Sequence, residues 1–314
     1  MISKTKARTY TSRADNEPTK RHQNLLFRMA TATVAAALSI AVIGSPEARA
    51  QERAPADLGK YTQGSATTVD HSEWTNLLQT YVKVSPDGIN RVDYKAFQSN
   101  GHNALKSYVS KLEAVDPRKL GRNEQFAYWA NLYNAKTIDV VLDHYPVDSI
   151  RKITINEGLF GFLKKSVGAG GPWKAKVATV AGTKLSLDNI EHDIMRPVFS
   201  DPRVHYAVNC ASYGCPNLRR TAFTGATLEQ QLDEGAKAFV NHPRGISVKN
   251  GSVTASSIYQ WFQKDFGGNA KGVLDHARKY AADDLKAQLE GVTEIGRYEY
   301  DWSLNDTTAA NPQG

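Results

Sequence analysis

The longest helical pattern in the chain runs over residues 123–145, NEQFAYWANLYNAKTIDVVLDHY. At about one hundred degrees per residue, Phe126, Trp129, Tyr133 and Val140 fall on one side, and Tyr128, Ala135, Ile138 and Leu142 on the other. A helix apolar nearly all round predicts a central, buried element, with Asn123 placed to cap it and Pro146 to stop it. Glu124 and Asn131 share a line with Tyr128, and Asn134 lies to one side. Buried carboxylates and amides are costly unless paired, so these three residues require partners inside the fold.

Around this helix the pattern predicts smaller elements. Helical spacing of Trp74, Leu77, Leu78 and Val82 marks residues 71–83, closed by a Pro86-Asp87-Gly88 turn, and a second helix is expected over 104–112. After the Gly-rich loop GAGGPW (168–173) the period falls to two, predicting a hairpin of 176–180 and 184–187. Asp188 is placed to cap a short helix carrying Glu191, His192 and Arg196, ended by Pro197 and an Asp201-Pro202 turn. An apolar strand is expected from Val204. Helices follow at 228–239, 257–266 and 273–289, with a hairpin at Asn250-Gly251 and a closing strand at 294–302. Helices and mostly antiparallel hairpins alternate without a βαβ repeat, which predicts an α+β fold.

Charge and composition sharpen the domain picture. Residues 1–50 place Lys20, Arg21 and Arg28 before an apolar run at 29–44, then Pro46 and Ala48-Arg49-Ala50, the order of a secretory signal cleaved after Ala50. The formal charge of +7 largely belongs to that segment, whose eight basic and three acidic residues leave the remainder at +2. No basic stripe remains to track phosphates, so nucleic acid is not an expected partner. The apolar run is short for a bilayer, so no stable membrane span is expected after cleavage. Residues 51–70 read as a flexible linker, 71–305 as a single α+β domain and 306–314 as a disordered tail, in a periplasmic or secreted protein.

The candidate chemistry lies in residues 204–216, VHYAVNCASYGCP, which hold both cysteines of the chain. In an exported protein Cys210 and Cys215 can form a disulfide. Alternatively Cys210 is a nucleophile, which needs a base. If residues 204–210 are extended, His205 and Cys210 stand roughly 16 Å apart with side chains on opposite faces, and His192 is the other candidate base. His205 and Asn209 share a face that could meet Glu124 and Asn131. Ser212 lacks a nucleophile-elbow frame, and Asp301 beside Trp302 is a candidate to return to the site. Two cysteines without a CxxC pair predict no metal, and no phosphate loop or dinucleotide fingerprint calls for a cofactor.

NEQFAYWANLYNA (123–135), VHYAVNCASYGCP (204–216) and YDWSLN (300–305) together resemble the family catalogued as domain of unknown function 547. The resemblance implies a loosely papain-like or transglutaminase-like organisation, in which a helix packs against an antiparallel sheet. Such enzymes carry the nucleophilic cysteine at the start of the buried helix, and this helix has none. The expectation is an amide or acyl hydrolase or transferase acting on a peptide-like or small-molecule substrate. Cys210 would be the nucleophile, His205 or His192 the base, and Glu124, Asn131 and Asn209 would orient the base or hold an oxyanion. The alternative is a non-catalytic envelope-binding module with a structural Cys210–Cys215 disulfide.

Overall fold

The computed structural model describes residues 56–155 and 171–308. The expected leader, the start of the linker (51–55), the glycines at 168 and 170 and the end of the tail (309–314) lie outside the described residues. The remainder is a mixed α+β fold, built in chain order from α1 (Ser72–Tyr81), the hairpin β1 (Val82–Val84) and β2 (Asn90–Val92), α2 (Tyr94–Asn100), α3 (His102–Glu113) and α4 (Arg122–His144). There follow the hairpin β3 (Ala178–Val180) and β4 (Thr183–Leu185), a π-helical segment Asn189–Met195 running into α5 (Arg196–Phe199), and the single turn α6 (Val204–Ala207). The last third holds α7 (Leu228–Val240), β5 (Ile246–Lys249), β6 (Ser252–Ser256), α8 (Ser257–Trp261), α9 (Ala270–Tyr280), α10 (Asp283–Gln288) and β7 (Arg297–Glu299).

Helix α4 is buried over nearly its whole length, with Phe126, Tyr128, Trp129 and Tyr133 all at 1 % exposure or less. Its main neighbours are helices, α3 and α2 on one side and the π-helical segment and α7 on another. The expected sheet over the helix is therefore replaced by helices. Among the described residues strands occur as two antiparallel hairpins and a three-stranded sheet in which β7 joins β6 in parallel. A second core of Phe239, Tyr259, Phe266 and Leu274 gathers around that sheet and α9. The β5–β6 turn puts Asn250 and Gly251 both at positive φ, as a tight two-residue hairpin requires.

Several expectations are corrected by local hydrogen bonding. Gly121, not Asn123, occupies the N-cap of α4. Asp188 makes no capping bond, and Pro197 lies inside the first turn of α5, where its missing N–H costs nothing. Residues 56–70 are docked rather than free: Leu58 is buried, the Thr62 N–H donates to the Leu120 carbonyl, and the Val69 N–H donates to Glu124. Residues 306–308 are likewise held, with Asp306 accepting from the Tyr145 hydroxyl and the Thr307 N–H reaching the Val92 carbonyl.

The strand expected from Val204 is the most consequential correction. The Val204 N–H donates to the Asp201 carbonyl and starts a helical turn. A short apolar run that is buried on all sides carries no period to separate strand from helix. Beyond the turn the chain is extended, yet its partner is a side chain. Asn134 of α4 donates Nδ2–H to the Ala207 carbonyl (2.9 Å), and its Oδ1 accepts from the Asn209 N–H (2.8 Å).

Two outcomes follow for stability. Asn134→Ala leaves a buried carbonyl and a buried N–H without partners and is expected to cost about 3 kcal/mol in denaturant unfolding. His276, whose Nε2 lies 2.8 Å from the Tyr206 hydroxyl, is pulled down to about 4 by burial, with Lys279 adding to the effect. Its folded pKa lies below the unfolded value of 6.5, so its contribution is present above pH 6.5 and is lost as pH falls toward 4. Against His276→Gln, the native protein is expected to lose roughly 2–3 kcal/mol more across that window in parallel unfolding titrations.

Candidate functional site

A half-open cavity of about 180 Å³ lies where α4, the π-helical segment, α6, the cysteine turn and the segment after β7 converge. His205 and Cys210 both line it. The 204–210 segment is not extended throughout, because α6 coils residues 204–207 before the chain straightens at Val208. His192 lines the cavity as well.

The cysteine turn is built on a strained backbone. Ala211 sits at φ +59°, a conformation that is costly for a residue with a Cβ. Asn209 spans this turn: Oδ1 accepts from the Ala211 N–H at 2.9 Å, and Nδ2–H donates to the Pro216 carbonyl at 2.7 Å. Residues 301–305 close the other side. The Tyr213 N–H donates to the Ser303 carbonyl, the Gly214 N–H to the Asp301 carbonyl and the Asn305 N–H to the Ala211 carbonyl. Gly214 permits this approach, since a Cβ there would meet Tyr300 at 2.9 Å and the Asp301 backbone at 3.0 Å.

Cys210 and Cys215 are joined as a disulfide across this turn, with Cα atoms 6.3 Å apart. Cys210 is the more exposed of the two, and Cys215 is 2 % exposed. The bridge is surrounded by donors. The Cys210 N–H points to Cys215 Sγ at 3.0 Å, and the Tyr300 hydroxyl lies 3.1 Å from Cys210 Sγ and 3.2 Å from Cys215 Sγ. Ser212 Oγ lies 3.2 and 3.4 Å from the same sulfurs and 2.7 Å from the Tyr300 hydroxyl. Burial pushes the Tyr300 phenol far above its ordinary value, so it keeps its proton and remains a donor.

His205 is held by a carboxylate that the sequence did not suggest. Its Nε2 lies 2.7 Å from Asp265 Oδ2, its ring stacks on Phe262 at 4.2 Å, and its Nδ1 faces Glu191 Oε1 at 3.8 Å. Burial alone would raise the Asp265 carboxyl, but hydrogen bonds from His205 and Arg196 outweigh it and hold the group well below the usual carboxylate range. Arg196 also donates to His192 Nδ1 at 3.2 Å, which fixes that nitrogen as an acceptor.

Glu124, Asn131 and Asn209 stand outside the cavity lining. Glu124 accepts from the Val69 and Gly225 N–H groups, and Asn131 makes a two-way pair with the Phe223 backbone. They fasten loops to α4 and do not orient His205. Asn209 acts on the site only through the cysteine turn. Asp301, the acid placed near the closing motif, accepts from Ser303, whereas its neighbours Tyr300 and Trp302 line the cavity. Asp265 gave no signal because it lies 60 residues from His205 on a separate short helix. Only the packing brings Trp261, Tyr300 and Trp302 into mutual contact, with centroids 4.6–5.5 Å apart.

Elsewhere, His102, Asp139 and Asp143 bring metal-type donor atoms together, but Lys106 Nζ lies 2.9 Å from Asp139 and 3.0 Å from Asp143 and already supplies positive charge there. Among the described residues no helix is long and apolar enough to cross a membrane.

No curated protein and no solved structure matches the chain. Residues 117–240, which span α4, the π-helical segment, the cysteine turn and α7, match the family described as Protein of unknown function, DUF547.

Proposed function

We propose that the protein performs thiol–disulfide exchange at Cys210–Cys215. The observation that carries this reading is the donor set around Cys215 Sγ, at the wall of an open cavity: one amide proton and two hydroxyls within 3.0–3.4 Å. An incoming thiolate forms a new S–S bond with Cys210, the more exposed sulfur. The Cys210–Cys215 bond breaks, and its electron pair leaves on Cys215 as a thiolate. The amide and the two hydroxyls can turn their protons onto that charge, and a stabilised thiolate is the better leaving group. A second thiolate then attacks the mixed disulfide, which leaves the protein pair reduced and the incoming pair oxidised. An exported location, periplasmic or beyond, accords with this chemistry because an oxidising compartment maintains the bridge.

A second reading is favoured by the His205–Asp265 pair. Once the bridge opens, Cys210 is a free thiol in the same cavity as a histidine braced by a carboxylate, the arrangement of acyl transfer. The chemistry expected of a papain-like or transglutaminase-like enzyme belongs with this reading, and so does a peptide-like or small-molecule acyl substrate.

Exchange predicts that 2-mercaptoethanol opens the native bridge and that acid quenching traps the adduct on Cys210, read by peptide mass spectrometry. Tyr300→Phe removes one hydroxyl and is expected to slow opening about tenfold. A bridge that resists small thiols in the folded protein would leave Cys210–Cys215 a structural link in a binding module. Acyl transfer predicts that Cys215→Ser, with its single remaining thiol, gives a one-equivalent burst with p-nitrophenyl acetate. Asp265→Asn should slow that burst and alter its pH profile. An equal burst in His205→Gln would remove the histidine from the role.

A further inference from the structure

We infer that the ligand of this cavity is an organic cation, an ammonium group on a small apolar body. As a statement about the substrate of cysteine chemistry this rests on the exchange reading. As a statement about binding it stands on the cavity alone.

The charges of the lining point one way. Asp188 and Glu191 contribute carboxylates, and among the described lining residues none is Lys or Arg. The two histidines are engaged, His205 Nε2 with Asp265 and His192 Nδ1 with Arg196. Glu191 is 7 % exposed, and the nearest histidine nitrogens lie 3.8 Å away, beyond hydrogen-bond reach. Its hydrogen-bond partner from α4 is the neutral Tyr133 hydroxyl. Among the described residues the cations of the neighbourhood stay outside the lining: Arg151 lies over Trp302 at 5.2 Å, Arg196 over Phe262 at 4.8 Å, and Lys174 and Arg244 act on Asp188 and Tyr300 from beyond the wall. An entering anion would meet two carboxylates. A neutral ligand would cover them without compensation.

The walls agree with the charges. Trp261 stacks on Trp302 at 5.5 Å, Tyr300 packs on both, and Trp173 meets Trp302 edge-on at 5.6 Å. Trp261 keeps 47 % of its surface exposed, an unusual state for a large aromatic ring at the mouth of a cavity. Aromatic faces carry negative quadrupole charge and attract ammonium groups, indole most strongly. Burial pushes the Asp188 carboxyl up, with His192 pulling against this and Glu191 adding to it, so a bound cation would relieve a repulsion already present. Indole faces beside one buried and one half-buried carboxylate form a receptor for a cation that is too large or too poorly hydrated to prefer water.

The test uses two probes on the oxidised full-length protein at constant ionic strength. Choline chloride and its neutral isostere 3,3-dimethylbutan-1-ol are titrated while tryptophan fluorescence is followed. Choline should bind about tenfold more tightly than the alcohol. Glu191→Gln should abolish the difference while the alcohol still binds, which shows that the variant is folded. Equal affinities in the native protein, or preference for the alcohol, would overturn the inference. A second measurement follows bridge opening by cysteamine, 2-mercaptoethanol and thioglycolate at equal thiolate concentration. Rates should fall in that order, and equal rates would oppose the inference. A bridge inert to all three thiols with choline still preferred would end the exchange reading and leave the cation site standing. An open, charge-indifferent reaction without choline preference would do the reverse.

Discussion

Everything in this fold hangs on one constraint: a long helix buried on nearly all sides must satisfy the polar groups it carries. Glu124, Gln125, Asn131 and Asn134 of α4 lie at 8 % exposure or less, and each finds backbone rather than another side chain, with only Gln125 Oε1 and the Trp129 indole N–H left unpaired among the helix's described buried side-chain atoms. An unpaired buried amide costs about 1–3 kcal/mol, so each of these side chains fixes a loop in one place. Asn134 and Asn131 behave as fragments of a strand, offering a donor and an acceptor to a passing backbone. The cysteine turn is delivered to the cavity by this means, with residues 207–209 pinned to α4 and the chain free to bend sharply immediately afterward.

Downstream of that anchor the site is assembled from segments distant in sequence. Asn209 ties both ends of the cysteine turn, Ala211 takes up the strain, and residues 301–305 close over it through Gly214. The closure brings Tyr300 onto the sulfurs and Trp302 into the aromatic wall. The short helices after β6 supply Trp261, Phe262 and Asp265. A rigid helical frame therefore carries a disulfide, a carboxylate-braced histidine and an aromatic wall around one opening. The exchange proposed for this opening would draw on donors already held beside the leaving sulfur.

The sequence determined the elements with a strong period and the residues with unusual chemistry. The central helix, its nearly all-round burial and the need of its polar residues for partners follow from spacing alone, as does the hairpin at Asn250-Gly251. Tertiary structure decided which partner each group took. The run from Val204 carries no period, so its choice between strand and turn fell to the Asp201 carbonyl and to the Asn134 side chain, which served in place of a neighbouring strand. Glu124, Asn131 and Asn209 were legible as polar residues in apolar company, yet whether such a residue faces a cavity or a backbone depends on which loop crosses the helix there. Asp265 and the contact between Tyr300 and the sulfurs are long-range events, and no local pattern encodes an encounter between chain segments 60 and 90 residues apart.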